Sequence, residues 1–554
     1  MELSPDLRSI QQARDFLQAA ATAQAELKEF SQEQIDRIVK AMAEAGERES
    51  ERLARLAVDN TGMGRYEDKI LKNKFGSRVI YDYIRDMKTV GVIHKSPDGS
   101  LWEIAEPMGV IAALIPTTNP TSTAMYKAII AVKSRNSIVM SPHPRAIQCT
   151  AEAARVVREA AEKAGAPKGL IHCMTEVSID GTDELMKHKL TSVILATGSS
   201  AMVRAAQSTG KPAYGVGSGN VPAYVDRTAD VDKAVRDIVS SCCFDNGTLC
   251  STERSIIVDE PVKAKVLESL TRYKAAFLSA EDTKKLERLA VPGGKLNADI
   301  VGQPATRIAQ LAGITVPADT RVLVAEIQSV GKQDPLSMET LSPILSLFTV
   351  NGWQEGCKRC IEILQFGGIG HTMSLHASDE KVITEFALKK PAMRIVVNSV
   401  SSLGAVGYTT NLAPALTLGC GTWGGSITAD NITPIHLLNI KRVAFETRPF
   451  HADWLGKAPA EQPAKTGKKE PVVKPYIPKT YSEKPAGTSW IDTIEERLRQ
   501  KAGNPSVRPT PDPAPAVRPV PAEPATRLVK EPTQTGSSLT PDAIDQLIKK
   551  YSKS

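Results

Sequence analysis

The spacing of apolar positions changes character several times along the chain, and each change marks a different kind of element. In residues 8–58 apolar side chains recur at helical intervals. Ile35, Ile38, Val39 and Met42 share one face behind a Ser31-Gln-Glu-Gln34 capping box, which predicts packing helices with no evident chemistry. Two short runs, 90–94 and 101–104, flank Ser96-Pro-Asp-Gly-Ser100 and predict a β-hairpin of the kind that serves subunit contact. From Val110 onward strand-like and helix-like stretches alternate: strands at 110–115, 137–140, 170–174 and 192–195, helices at 122–132 and 145–164. Such alternation predicts a parallel sheet covered on both faces, which binds nucleotides at the carboxyl ends of its strands. A second α/β block runs from Asp230 to about Thr410, and residues 433–444 read as a late strand returning to the first block. The expected class is α/β.

After about Pro449 the pattern breaks, with 16 of the 36 prolines in the last 104 residues. Such a stretch buries too little apolar surface to offset its ordering entropy, so 450–538 is expected to be a disordered, proline-rich linker. Two islands interrupt it. A short helix is predicted near 489–502, with Ile491, Ile494 and Leu498 on one face. At 539–554 Thr540 is the N-cap, Pro541 the first helical residue, and Ile544, Leu547, Ile548 and Tyr551 form an apolar stripe. An amphipathic helix this short is marginal alone, and it makes sense as one that folds on docking.

Composition adds exclusions. At 554 residues, 42% hydrophobic and 24% charged, the chain reads as a soluble enzyme of two or three domains. The net charge is +7, but 17 basic against 12 acidic residues fall after position 450, so the body is nearly neutral and no nucleic-acid partner is expected. No uncharged apolar run of 18 occurs and the start lacks a secretory pattern, so a cytoplasmic protein without a membrane partner is expected. Eight scattered cysteines suit reduced thiols; Cys357-Lys-Arg-Cys360 is a lone pair, and no metal is expected.

The chemistry gathers around Asp245-Asn-Gly-Thr-Leu-Cys-Ser-Thr-Glu-Arg254, where Cys250 sits in small, polar company as either a nucleophile or an inert buried thiol. Asn119, in Ile115-Pro-Thr-Thr-Asn-Pro120, ends a strand and is either a turn residue or an amide donor for an oxyanion. Ala196-Thr-Gly-Ser-Ser200 ends a strand and opens a helix, so its amides could face a phosphate. Gly215-Val-Gly-Ser-Gly-Asn220 is glycine-rich without being a dinucleotide fingerprint.

Taken in order, several runs resemble the coenzyme A-acylating branch of the aldehyde dehydrogenase superfamily over about residues 10–445. They are Thr61-Gly-Met-Gly-Arg-Tyr-Glu-Asp-Lys69, Ser141-Pro-His-Pro-Arg145, residues 246–250, Thr417-Leu-Gly-Cys-Gly-Thr-Trp-Gly-Gly425, Asp430-Asn431 and His436-Leu-Leu-Asn-Ile-Lys441. The resemblance implies a Rossmann-type cofactor domain over 1–225 with an oligomerisation hairpin near 90–104. It also implies a catalytic domain over 226–415, a segment over 416–449 returning to the first part, and a homodimer or tetramer. It makes Cys250 the nucleophile, Asn119 the oxyanion donor and Glu339 the carboxylate on the nicotinamide ribose. Thr197, Gly198 and Ser199 match the turn over the cofactor.

Two departures from the hydrolytic members sharpen this. Their water-activating glutamate is matched by Val216, which cannot be a base, so a thioester on Cys250 would await an outside thiol, namely coenzyme A. Their Lys and Glu at the adenosine end are matched by Ser141 and Pro144; with Ser141 and Pro142 as the candidate contacts there, NAD is expected and NADP stays open. His371 and His143 are candidate bases for the incoming thiol. The tail resembles the encapsulation peptides of bacterial microcompartment enzymes, which implies a shell or cargo partner, a place inside such a compartment, and a short aldehyde such as propionaldehyde or acetaldehyde. The alternatives are a hydrolytic dehydrogenase releasing the free acid, and a catalytically idle scaffold acting through its last helix.

Overall fold

The computed structural model describes residues 4–448. The two helices expected in the tail lie outside them. Helices Pro5–Leu27, Gln32–Arg48 and Ser50–Thr61 form the N-terminal layer. Ser31 and Gln34 close the expected capping box, and Ile35, Ile38, Val39 and Met42 are fully buried.

Fifteen strands in the described residues form three sheets. β1 (Gly91–Lys95) and β2 (Leu101–Pro107) make the antiparallel hairpin. β3 (Val110–Ile115), β4 (Ser137–Pro142), β5 (Ile171–Cys173), β6 (Thr191–Thr197) and β7 (Ala213–Val216) form a parallel sheet in the order β5-β4-β3-β6-β7. β8 (Val221–Val225), β9 (Glu253–Asp259), β10 (Ala275–Phe277), β11 (Val322–Glu326), β12 (Ile344–Val350), β13 (Gly370–His376) and β14 (Ala392–Val397) form a second parallel sheet, ordered β10-β11-β12-β9-β8-β13-β14. β15 (Leu438–Ala444) pairs antiparallel with β2, so the hairpin becomes three-stranded.

The domain boundary expected at residue 225 falls at the end of β8. β8 pairs with β9 and β13, so the second sheet begins at Val221 and the chain crosses between sheets at Gly217-Ser-Gly-Asn220. All five residues of β8 are buried, so in sequence it reads as one more strand of either block.

Strand order reverses between β3 and β6, and a parallel sheet opens a crevice at the carboxyl ends of such a pair. Helix Pro120–Lys133 leaves β3 there with every residue buried, the polar Thr121, Ser122, Thr123, Lys127 and Lys133 included, so it lacks the one-sided apolar stripe of a surface helix. Because β7 leads into β8 through four residues, the carboxyl edge of the five-stranded sheet meets the amino edge of the seven-stranded one. Helix Tyr66–Lys74 continues through a π-helical turn, Phe75–Val79, into Ile80–Ile84. A Cβ at Gly76 would lie 2.5 Å from the Ser122 carbonyl oxygen, so this helix packs backbone to backbone on the first turn of Pro120–Lys133.

Candidate active site

Cys250, Glu339 and His371 come from segments remote in sequence, yet each lies at the amino edge of the seven-stranded sheet. Cys250 precedes β9, Glu339 precedes β12, and His371 is the second residue of β13. The loop before Cys250 turns through three residues in the left-handed region, Asp245 (φ 47°), Asn246 (φ 51°) and Gly247 (φ 73°). Asp and Asn tolerate that region better than other side-chain-bearing residues, but the conformation persists only where surroundings hold it. Asn246 Nδ2 donates to the Gly302 carbonyl at 2.9 Å, and Arg254, fully buried, donates to the carbonyls of Gly247, Leu249 and Ser342. Arg254 thus ties the cysteine loop to the Glu339-Thr-Leu-Ser-Pro343 segment.

The Cys250 sulfur lies 3.1 Å from His371 Nε2. Burial, followed by the Glu339 carboxylate, pushes the thiol up to about 12. Burial, followed by the Arg394 guanidinium, lowers His371 to about 3. The resting pair is therefore a neutral thiol and a neutral imidazole. Arg394 Nε, which can only donate, reaches Thr372 Oγ1 at 3.3 Å, and that hydroxyl lies 2.9 Å from His371 Nδ1. Every group is satisfied when Thr372 donates to Nδ1, which puts the imidazole proton on Nε2, facing the sulfur.

Glu339 accepts from the Gly219 amide at 3.1 Å, and burial raises its carboxyl to about 7. A Cβ on Gly219 would lie 1.9 Å from the Cys250 carbonyl oxygen, so the crossover between sheets packs directly on the nucleophile loop. Val216 ends β7, 2% exposed among apolar neighbours.

Asn119 occupies the N-cap position of helix Pro120–Lys133 without a side-chain bond to that helix, which leaves its amide for other partners. Its Nδ2 donates to Thr118 Oγ1 at 3.1 Å, and its Oδ1 accepts from Lys72 Nζ at 2.5 Å. Lys72 also donates to Asp245 and, at 2.9 Å, to Thr248 Oγ1, two residues before Cys250. Lys69 Nζ reaches Asp245 at 3.1 Å and the Thr118 carbonyl at 3.2 Å. Lys72, Asp245 and Thr372 were not singled out from the sequence. Lysines three apart on one helix face were the available signal, beside a cysteine loop whose acid had no assigned partner.

The remaining expected residues occupy the carboxyl edge of the five-stranded sheet. Thr197 ends β6 with its hydroxyl 3.2 Å from that of Thr417, the Gly198 amide donates to the Val216 carbonyl, and Ser199 caps helix Ser200–Gln207. Ser199 Oγ accepts from the Met202 amide in the first turn of that helix, at the carboxyl end of β6, where the strand order reverses. Ser141 Oγ is held by Thr182 Oγ1 at 2.8 Å, and Pro142 ends β4. His143 follows, its Nδ1 accepting from the Arg145 amide and its burial lowering it to about 4. His371 is the candidate base at the sulfur. Among the described residues no cluster of three or more His, Cys, Asp or Glu could hold a metal ion, and no helix is long and apolar enough to cross a membrane.

Comparison with known proteins places this arrangement. Residues 7–286 match the model of the aldehyde dehydrogenase family. The bifunctional aldehyde-alcohol dehydrogenase of Escherichia coli is 42% identical over 427 residues, 76% of this chain and 48% of that protein, so the chain spans about half the length of this curated relative. The crystal structure of an acetylating aldehyde dehydrogenase from Geobacillus thermoglucosidasius superposes with a TM-score of 0.80 at 51% identity, covering 81% of this chain and all of that one. A propionaldehyde dehydrogenase from Rhodopseudomonas palustris, with bound CoA and an acylated cysteine, superposes with a TM-score of 0.70 at 28% identity, over 78% and 97% of the two chains. With a family match over half its length and a 51% identical relative covered end to end, the chain belongs to the aldehyde dehydrogenase family.

Proposed function

We propose that the protein oxidises a short-chain aldehyde, propionaldehyde or acetaldehyde, to its coenzyme A thioester. Cys250 Sγ adds to the aldehyde carbonyl as its proton passes to His371 Nε2, in the tautomer whose Nδ1–H the Thr372 hydroxyl accepts, and the oxyanion is held by Asn119 Nδ2 and the Cys250 amide. A nicotinamide dinucleotide, NAD on this reading with NADP open, supplies the hydride acceptor when bound. Thr197, Gly198, Ser199 and Glu339 would hold it, with Ser141 and Pro142 toward the adenosine end. What remains on Cys250 is a thioester.

The observation that carries the acylating reading is Val216, buried and apolar at the position matched to the hydrolytic family's water-activating glutamate. Coenzyme A then displaces the thioester, its sulfur bonding to the acyl carbon while Cys250 leaves as thiolate. With its proton on Nε2, His371 is a donor to that thiolate. Taking the proton of the incoming thiol calls for the opposite tautomer, which Thr372 permits by turning its hydroxyl to accept from Nδ1. Replacing Cys250 with Ala is expected to abolish aldehyde-dependent NADH formation, and the product of wild-type turnover is expected to be acyl-CoA. Residual turnover in the variant, or free acid as product, contradicts the proposal.

One observation favours a second reading. A carboxyl held near 7 beside the nucleophile could activate water, and Glu339 is such a group. On that reading the enzyme releases free acid without coenzyme A.

Residues 539–554, outside those described, read as a docking helix for a microcompartment shell or cargo protein. The described residues read as the body of a homodimer or tetramer.

A further inference from the structure

Two lysines share one buried carboxylate in this protein, and one of them holds the side chain proposed to bind the oxyanion. We infer that Lys72 is a positioning residue: its ammonium on Asn119 Oδ1 fixes the amide so that Nδ2 serves the reacting carbonyl, and polarises it for that task. The inference rests on Asn119 being the oxyanion donor.

The orientation follows from donor chemistry. An ammonium has no acceptor, so the Asn119 atom 2.5 Å from Lys72 Nζ is the carbonyl oxygen, and the NH2 must face the other way. One of its hydrogens goes to Thr118 Oγ1 and the other is left for a ligand. A cation on an amide oxygen draws electron density from its nitrogen, which makes the N–H a stronger donor in a low-dielectric site. A turn asparagine has no need of this.

The surroundings keep the ammonium in place. Asp245, Lys69, Asp68, Thr248 and the Phe244 ring face Lys72 from the cysteine loop and from its own helix. The π-helical turn one residue beyond Lys74, with Gly76 against Ser122, brings this helix within reach of Asn119. Burial lowers Lys72 to about 8, with Asp245 opposing the fall, so its charge is lost just above neutrality. Removing it is compatible with folding, because Asp245 keeps Lys69, the Arg65 amide and the Thr248 hydroxyl.

The test is a double-mutant cycle read in the pre-steady-state burst of NADH. Lys72→Met is expected to slow the burst at least about 10-fold in wild type, with aldehyde KM within about 3-fold, and less than about 2-fold in an Asn119→Ala background. The wild-type to Lys72→Met rate ratio should fall as pH rises above about 8, since common ionisations cancel in it. Equal slowing in both backgrounds, or a ratio that does not change with pH, overturns the inference and leaves Asn119 as donor. An Asn119→Ala burst as fast as wild type overturns the donor assignment itself. If Lys72→Met does not fold, Lys72→Gln, which keeps an N–H donor without charge, takes its place with the same pH ratio expected and the same flat ratio fatal.

Discussion

Gly219→Ala probes the site through one added methyl group. Gly219 does not occupy the left-handed region, so alanine meets no backbone penalty there. Its amide would still donate to Glu339. The obstacle is the Cys250 carbonyl oxygen, 1.9 Å from the new Cβ, where ordinary contact begins at 3.4 Å. One of the two backbones must therefore move by about 1.5 Å, and misplacing a reacting group by about 1 Å costs on the order of 100-fold in rate. Overpacking of this kind costs about 1–3 kcal/mol of stability, too little to unfold a protein whose sheets are otherwise intact. The expected result is a kcat at least about 100-fold lower at near-normal melting temperature, measured by aldehyde-dependent NADH absorbance and differential scanning fluorimetry. Cys250 should also alkylate with iodoacetamide at an altered rate, since its distance from His371 changes. A kcat within about 3-fold of wild type would show that the crossover and the nucleophile loop are not coupled as described.

Two further outcomes follow from the same physics. Glu253 is fully buried, and burial raises it from 4.5 to about 7, so the folded state becomes progressively less favoured as pH rises through that window. The gap corresponds to about 3 kcal/mol, so Glu253→Gln should raise the melting temperature at pH 8 and change it little at pH 5; an equal change at both pH values contradicts this. Fused to a fluorescent protein, residues 535–554 should form puncta in cells that build microcompartment shells, and diffuse fluorescence there argues against the docking role.

Much of the fold was legible because its signals are local. The capping box at Ser31, the turn at Ser96-Pro-Asp-Gly-Ser100 and the alternation after Val110 each follow from a few neighbouring residues. The sheet to which β8 belongs was not legible, since a fully buried strand carries no stripe to show which face or partner it takes. The same contrast holds at the site. Cys250, Asn119 and Glu339 sit in segments with distinctive wording, whereas Lys72 meets Asp245 across 173 residues and gains meaning only when its helix packs against the cysteine loop. His371 and His143 looked alike as candidates. One lies on the amino edge of β13 against the sulfur and the other at a turn after β4, a difference set by which sheet each strand joins.

The central claim is that the thioester on Cys250 waits for a thiol instead of water. Enzyme mixed with aldehyde and NAD in the absence of coenzyme A should give one burst of NADH equal to the concentration of active sites and then stop. Adding coenzyme A should restart turnover with acyl-CoA as product. Continuous NADH formation without coenzyme A, with free acid accumulating in step, would contradict the account and return Glu339 to the role of water-activating base.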